Sequence, residues 1–171
     1  ASGQQNLRIK ITQNESSPRD YTEFVFPVSK KRISGYVAST GTPLNIPDAY
    51  EIPADREYGF DTDIDKSTGY RSKSMLTVPM QDHKGEVLGV IQLINRKRER
   101  GCRLMSAEDV EKYVIPFSKE QEPLLRQQSS RGELARPSRK LGGTRRSLEW
   151  PIRPRQLRFE PRRHDDARAP V

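Results

Sequence analysis

Cysteine is almost missing from this chain: Cys102 stands alone among 171 residues. No disulfide can form within the chain, which fits a reducing compartment, and a cytoplasmic location is expected. Histidine is nearly as scarce. With only His83 and His164 beside that single cysteine, the ligand set for a zinc site is not there. No run of about 18 apolar residues exists, which excludes a membrane-spanning helix and leaves no membrane contact expected. The opening ASGQQNLRIKITQN lacks an apolar core, so no signal peptide is expected, and the first residue is Ala, as in a fragment or processed product. No serine has a His and Asp close by in sequence, and His83 falls in a turn, so no catalytic constellation is visible and an enzyme is not expected. Apolar residues make up only 32% and the mean hydropathy is −0.89, a sparse supply for a core.

That sparseness is unevenly distributed. Residues 127–171 hold 12 Lys/Arg against 5 Asp/Glu, a net of +7, whereas residues 1–126 are close to neutral. The strongly basic balance therefore belongs to the tail. Five prolines and no sustained helical or strand period make 126–171 a basic, Pro/Arg-rich segment expected to be unstructured. Its Arg145-Arg146 and Arg162-Arg163 pairs, with Trp150 and Phe159, offer charge and stacking to nucleic acid. No recognition module accompanies them, so no specific nucleic acid is expected. The abrupt change of composition after Arg126 also reads as a truncated or frame-shifted end.

The first 125 residues carry regular signals. Leu7, Ile9 and Ile11 alternate with polar residues, as in a half-buried strand. YTEFVFPV is a second extended stretch, at an edge because of Pro27. Ser29 is placed to cap a short helix over 30–39, with Ile33, Tyr36 and Val37 on one face and Gly41 at its C-cap. PLNI reads as a strand. Residues 74–80 and 87–95 form the clearest element, a hairpin around Gly85, the second strand apolar enough to be covered on both faces. Ser106 with Asp109 opens a further helix as a capping box; Val110, Val114 and Phe117 supply its apolar side until Pro116 intervenes, and SKEQEPLL begins another.

Between these elements lies a long polar loop, residues 49–73. Loops of this length are commonly functional. Tyr50, Tyr58, Phe60 and Tyr70 suit the faces of a planar ligand, Asp61 and Arg71 its polar groups, and Thr77 on the following strand completes the candidate pocket; the plainer reading is a lid anchored on the core by its aromatics. The alternating Asp61, Asp63 and Asp65 suggest a calcium loop, but Lys66 and Ser72 stand where such a loop needs Gly and Glu.

The strings GYVASTGTPLNIPDAY, FDTDIDKSTGYRSKSMLTVPM and GEVLGVIQLINRK resemble a GAF domain, of the kind found in bacterial HD-GYP phosphodiesterases, cyclases and sensor kinases. The resemblance spans residues 7–125 and lacks the usual N-terminal helix and first strand. It implies an α/β fold of the α+β type, a central antiparallel sheet flanked by helices. It also implies a regulatory, sensory role in signal transduction: a small-molecule effector, a cyclic nucleotide for some members, binds under the lid and controls a linked output domain such as a cyclic-dinucleotide phosphodiesterase. In a full-length parent, terminal helices would form a homodimer. The dispersed Asn-Lys-Phe-Asp-Glu motif of cyclic-nucleotide binders leaves Asn95 and Asp109 here, with Arg96 at the Lys position and able to pair with Asp109. Two alternatives stand beside this reading: a ligand-free dimerisation module, and a basic-tail nucleic-acid binder.

Overall fold

Two adjacent segments of alternating and continuous apolar sequence form the centre of the sheet. In the computed structural model, which describes residues 5–11, 25–99, 101–130 and 155–159, Met75–Gln81 and Val87–Ile94 pair antiparallel from Met75↔Ile94 to Gln81↔Val87. The turn between them is held by Asp82, whose Oδ1 accepts from the backbone N–H of Lys84 and of Glu86, both at 2.9 Å. Gly85 supplies the left-handed residue, at φ 83°. Numbered along the chain, the strands are β1 (Asn6–Ile11), β2 (Val25–Pro27), β3 (Leu44–Ile46), β4 (Met75–Gln81), β5 (Val87–Ile94) and β6 (Arg155–Phe159). Among the described residues they form one antiparallel sheet in the order β2-β1-β6-β5-β4-β3.

Strand periodicity sends alternate side chains to opposite faces. On one face Leu76, Val78, Met80, Ile91 and Leu93 pack with Phe117 and Leu125, the latter from helix α4 (Gln121–Ser130). The other face carries Met75, Thr77, Val90, Gln92 and Ile94. There helix α1 (Ile33–Thr40) lays Val37 and Ala38 against Val90 and Leu7, and Ile33, Ile46 and Ala49 close over Met75.

The local signals hold with specific departures. Helix α1 ends at Gly41, which adopts φ 68° and donates its N–H to the Val37 carbonyl. Its N-cap is Arg32 rather than Ser29, and the Arg32 side chain makes no capping bond. Ser29 has another part: a Cβ on Gly35 would lie 2.1 Å from the Ser29 carbonyl oxygen, so glycine lets the first turn of α1 press on that segment. Helix α3 (Ala107–Tyr113) has the full capping box of Ser106 and Asp109. It stops at Tyr113, before Pro116. Val110 and Val114 pack with Leu104, while Phe117 lies past the helix and joins the sheet core. The loop over 49–73 contains a 3-10 turn (Ala49–Glu51) and helix α2 (Asp63–Thr68).

The tail differs from the expectation of an unstructured segment starting at 126. Helix α4 crosses that boundary and runs to Ser130, and residues 155–159 form β6, paired with β1 on one side and β5 on the other. The physical reason is local. RQLRF is a proline-free window between Pro154 and Pro161, and a strand needs only a bare edge to pair with, which averaged composition does not reveal. Arg145, Arg146, Trp150, Arg162, Arg163 and His164 lie outside the described residues.

Candidate functional site

The loop after β3 folds back on the start of α1. Gly59 N–H donates to the Lys31 carbonyl at 2.9 Å, and Arg32 and Gly59 form a parallel bridge. Between this seam and the 3-10 turn lies an open groove of about 550 Å³. Tyr50, Tyr58 and Phe60 form its aromatic wall, and Lys31, Arg56 and Glu57 supply charge. Tyr50 meets Phe60 with ring centroids 5.1 Å apart, and Tyr58 leans on Tyr36 of α1 at 4.9 Å. Such tilted pairs hold rings in place while leaving an edge free. A groove of this size, aromatic and lined with both charges, suits a small planar molecule with polar substituents.

Behind the groove is a polar clamp. Asp65 of α2 is buried, at 6% exposure. It accepts from the Tyr50 hydroxyl at 2.9 Å, the Ser72 backbone N–H at 2.6 Å and the Ser72 hydroxyl at 2.8 Å. One carboxylate thus ties the lid helix, the 3-10 turn and the approach to β4. A buried carboxylate needs such donors, because desolvation without them is costly. Partial burial, and then the hydrogen bond to the Asp65 carboxylate, push the Tyr50 hydroxyl up to about 12. The Arg71 guanidinium stacks 4.6 Å above the Tyr50 ring.

Asn95 grips the same segment from the far end of β5. It is buried at 1% exposure and adopts φ 58°, a left-handed conformation that Asn tolerates better than most residues. Its Oδ1 accepts from Lys73 N–H at 2.6 Å, and its Nδ2 donates to the Arg71 carbonyl at 2.7 Å. The side chains so positioned both reach α3: Arg71 Nη2 lies 3.0 Å from Glu111 Oε1, and Lys73 pairs with Glu111 Oε2. The hydrogen bond from Lys73, followed by that from Arg71, holds the Glu111 carboxyl below its usual range. Helix α3 is laced to the end of β5 by backbone bonds from Arg98 N–H to the Tyr113 carbonyl and from Ile115 N–H to the Arg96 carbonyl.

The residues singled out in the sequence therefore separate into groups. Tyr50, Tyr58 and Phe60 share the groove. Arg71, with Tyr50, belongs to the clamp behind it. Asp61 does not line the groove; it pairs with Arg32 at 2.6 Å and accepts from Asp63 N–H. Tyr70 is half-buried beside the clamp, its N–H on the Thr68 hydroxyl. The carboxylates of Asp61 and Asp65 have separate partners, and among the described residues no group of three or more His, Cys, Asp or Glu is placed to hold a metal.

Thr77 lies deeper, fully buried on the α1 face, with no hydrogen-bond partner for its hydroxyl. Across from it in register stands Gln92, also buried, whose amide nitrogen has a weak 3.9 Å contact with Met75 sulfur. Of the motif residues, Asn95 is the clamp just described. Arg96 does not pair with Asp109: it donates to the Pro116 carbonyl at 2.8 Å, and Asp109 spends its carboxylate on the N–H groups of Met105 and Ser106. Capping α3 and bracing its exit satisfy both side chains separately. Asp65 and Ser72 entered the sequence reading only as positions of a calcium loop, not as a clamp, and Glu111 was not singled out. The acidic residue within a lid helix, facing Ser72 seven residues on, was the available signal for the first two.

A family model described as GAF domain matches residues 7–130. The dual 3',5'-cyclic-AMP and -GMP phosphodiesterase 11A of Takifugu rubripes is 44% identical over 87 residues, which cover 51% of this chain and 9% of that protein. The dual 3',5'-cyclic-AMP and -GMP phosphodiesterase 11 of Drosophila melanogaster is 47% identical over 64 residues, 37% of this chain and 4% of that protein. The chain thus spans a small part of the relatives it matches. Both relatives come from animals, so the bacterial setting implied by the resemblance finds no support in them. The antiparallel sheet with its flanking helices, the lid over one face and the match across 7–130 together place the chain: it belongs to the GAF domain family.

Proposed function

We propose that this chain is a small-molecule-binding regulatory module, that its effector is a cyclic nucleotide, and that in its parent protein it controls a linked cyclic-nucleotide phosphodiesterase. The observation that carries this reading is Tyr50, which is at once a wall of the aromatic groove and a member of the clamp. A purine stacked in the groove would meet the Tyr50, Tyr58 and Phe60 rings, and Lys31 and Arg56 would meet a phosphate. Any shift of Tyr50 on binding would be felt by Asp65 and Arg71, and through Arg71 by Glu111 on α3. The effector would then bias two arrangements of the lid and α3 to the extent that it binds one better. The relatives named above, both phosphodiesterases acting on cyclic AMP and cyclic GMP, support the choice of effector class and of output domain. In the full-length parent the terminal helices are the expected homodimer seam, and α4 leaves Leu124 half exposed for it.

Isothermal titration of the full chain with cyclic AMP, cyclic GMP and a cyclic dinucleotide tests the reading. Saturable binding of a 3',5'-cyclic mononucleotide, weakened at least tenfold by Tyr58→Ala, is expected. No heat from any of the three, with a folded protein in the cell, would overturn it in favour of a ligand-free dimerisation module.

A further inference from the structure

Among the described residues, strand β6 is the one element that joins the two halves of the sheet. Without it, the β1–β2 pair and the β3–β4–β5 group share no ladder. It pairs Leu7↔Phe159 to Ile9↔Leu157 with β1 and Gly89↔Arg158 to Gln92↔Arg155 with β5, and the register with β1 shifts between Ile9 and Ile11. Removing it bares two facing strand edges at once, and such edges are templates for any strand of matching register. The donor segment lies far along the chain: residues 131–154, a length of 24, separate it from the end of α4. Fully extended, that length reaches up to about 80 Å, several times the width of the sheet and enough to reach a neighbouring molecule.

We propose that the gap between β1 and β5 is a strand-acceptor slot, filled by residues 155–159 of the same chain or, reciprocally, by those of a second copy, giving an exchanged two-fold dimer. The two fillings make the same ladder bonds, so the choice between them turns on protein concentration against the effective concentration of the tethered strand. A tethered strand wins below roughly millimolar concentrations, and exchange grows toward that range. Such a dimer is separate from any seam between terminal helices.

Cysteine trapping in the full chain decides it. Arg8 and Arg158 are directly opposed, and Cα atoms of opposed antiparallel residues lie about 4.5–5.5 Å apart, within disulfide range. With Cys102→Ser as background, R8C/R158C in one chain is expected to close within the monomer when oxidised at low micromolar concentration. Chains carrying R8C alone and R158C alone, one of them mass-tagged, are then unfolded together, refolded at rising concentration and oxidised. A mixed R8C–R158C disulfide, mapped by peptide mass spectrometry and rising at least tenfold from low to high concentration, is expected. Closure of the double variant with no mixed disulfide at any concentration would overturn exchange, and failure of both to cross-link would overturn the slot itself. Leu7→Cys with Phe159→Cys, also opposed, repeats the trap if the first pair disturbs folding.

Discussion

The two faces of the β4–β5 hairpin are made by the same 15 residues yet differ in kind. Toward α4, the hairpin contributes Leu, Val, Met, Ile and Leu against Phe117 and Leu125, with Ser129 and Asn45 as hydrogen-bonded polar groups at its margin. Toward α1 and the lid, the face sets Thr77 and Gln92 among Met75, Val90 and Ile94, under a cover of aromatic rings and a carboxylate clamp. A dry face gains from permanent contact, whereas buried polar groups retain value only where something can meet them. The first face is built to hold and the second to respond.

Truncation on the α4 face has the largest expected effect. Leu93→Ala should cost about 3 kcal/mol, because a fully packed residue leaves both lost burial and a cavity; urea unfolding checks it. A change in the lid clamp should cost less but act on a different property. Asp65→Ala leaves the Ser72 N–H and hydroxyl and the Tyr50 hydroxyl without their acceptor and should cost about 2 kcal/mol. Amide hydrogen exchange should show the loss confined to residues 49–73, with β4 and β5 still protected. Equal deprotection of the hairpin would erase the distinction between the faces.

Thr77→Val goes in the opposite direction. The hydroxyl has no partner, so its removal at constant shape should be neutral or stabilising by up to about 1 kcal/mol in the free protein. The smallest effect is with pH. The Tyr50 hydroxyl is held neutral, up to about 12 against an ordinary 10.0. Its contribution is therefore fully present below about pH 10 and is lost as pH rises toward 12. In an ultraviolet titration, one of the six tyrosines should lag the others, and the lag should vanish in Tyr50→Phe.

The hairpin, the Gly41 cap and the Ser106–Asp109 box were legible because each depends on neighbours in sequence. The face assignment followed from period two alone. What could not be read were pairings across distance. Arg96 and Asp109 are of opposite charge, yet each is satisfied by backbone groups instead, the Pro116 carbonyl for one and the Met105 and Ser106 N–H groups for the other. Arg71 was read as a polar contact for a ligand, and nothing in its vicinity or that of Lys73 names Glu111, 38 or more residues on. The groove was half legible: three of its aromatics carry the signal, whereas Asp61 and Thr77 share the polarity of a site without sharing its place. β6 was the hardest, since five residues in a proline-rich stretch gain their structure from the strands they meet.

That last strand also sets a timetable. β1 leaves the ribosome ahead of the other described strands, and its neighbour β6 follows only after some 140 further residues. At a synthesis rate of 5–20 residues per second, the interval is about 7–30 s. Helix α1, the hairpin and α3 consist of local contacts that form far faster than this. Every other described element is made by Ser130, so over the next 25 to 29 residues, about 1–6 s, the nascent chain is a nearly finished domain with one seam open, and the final ladder closes a loop of some 140 residues. Closure of the seam, rather than formation of the core, is the step at which crowding of nascent copies would decide what is made.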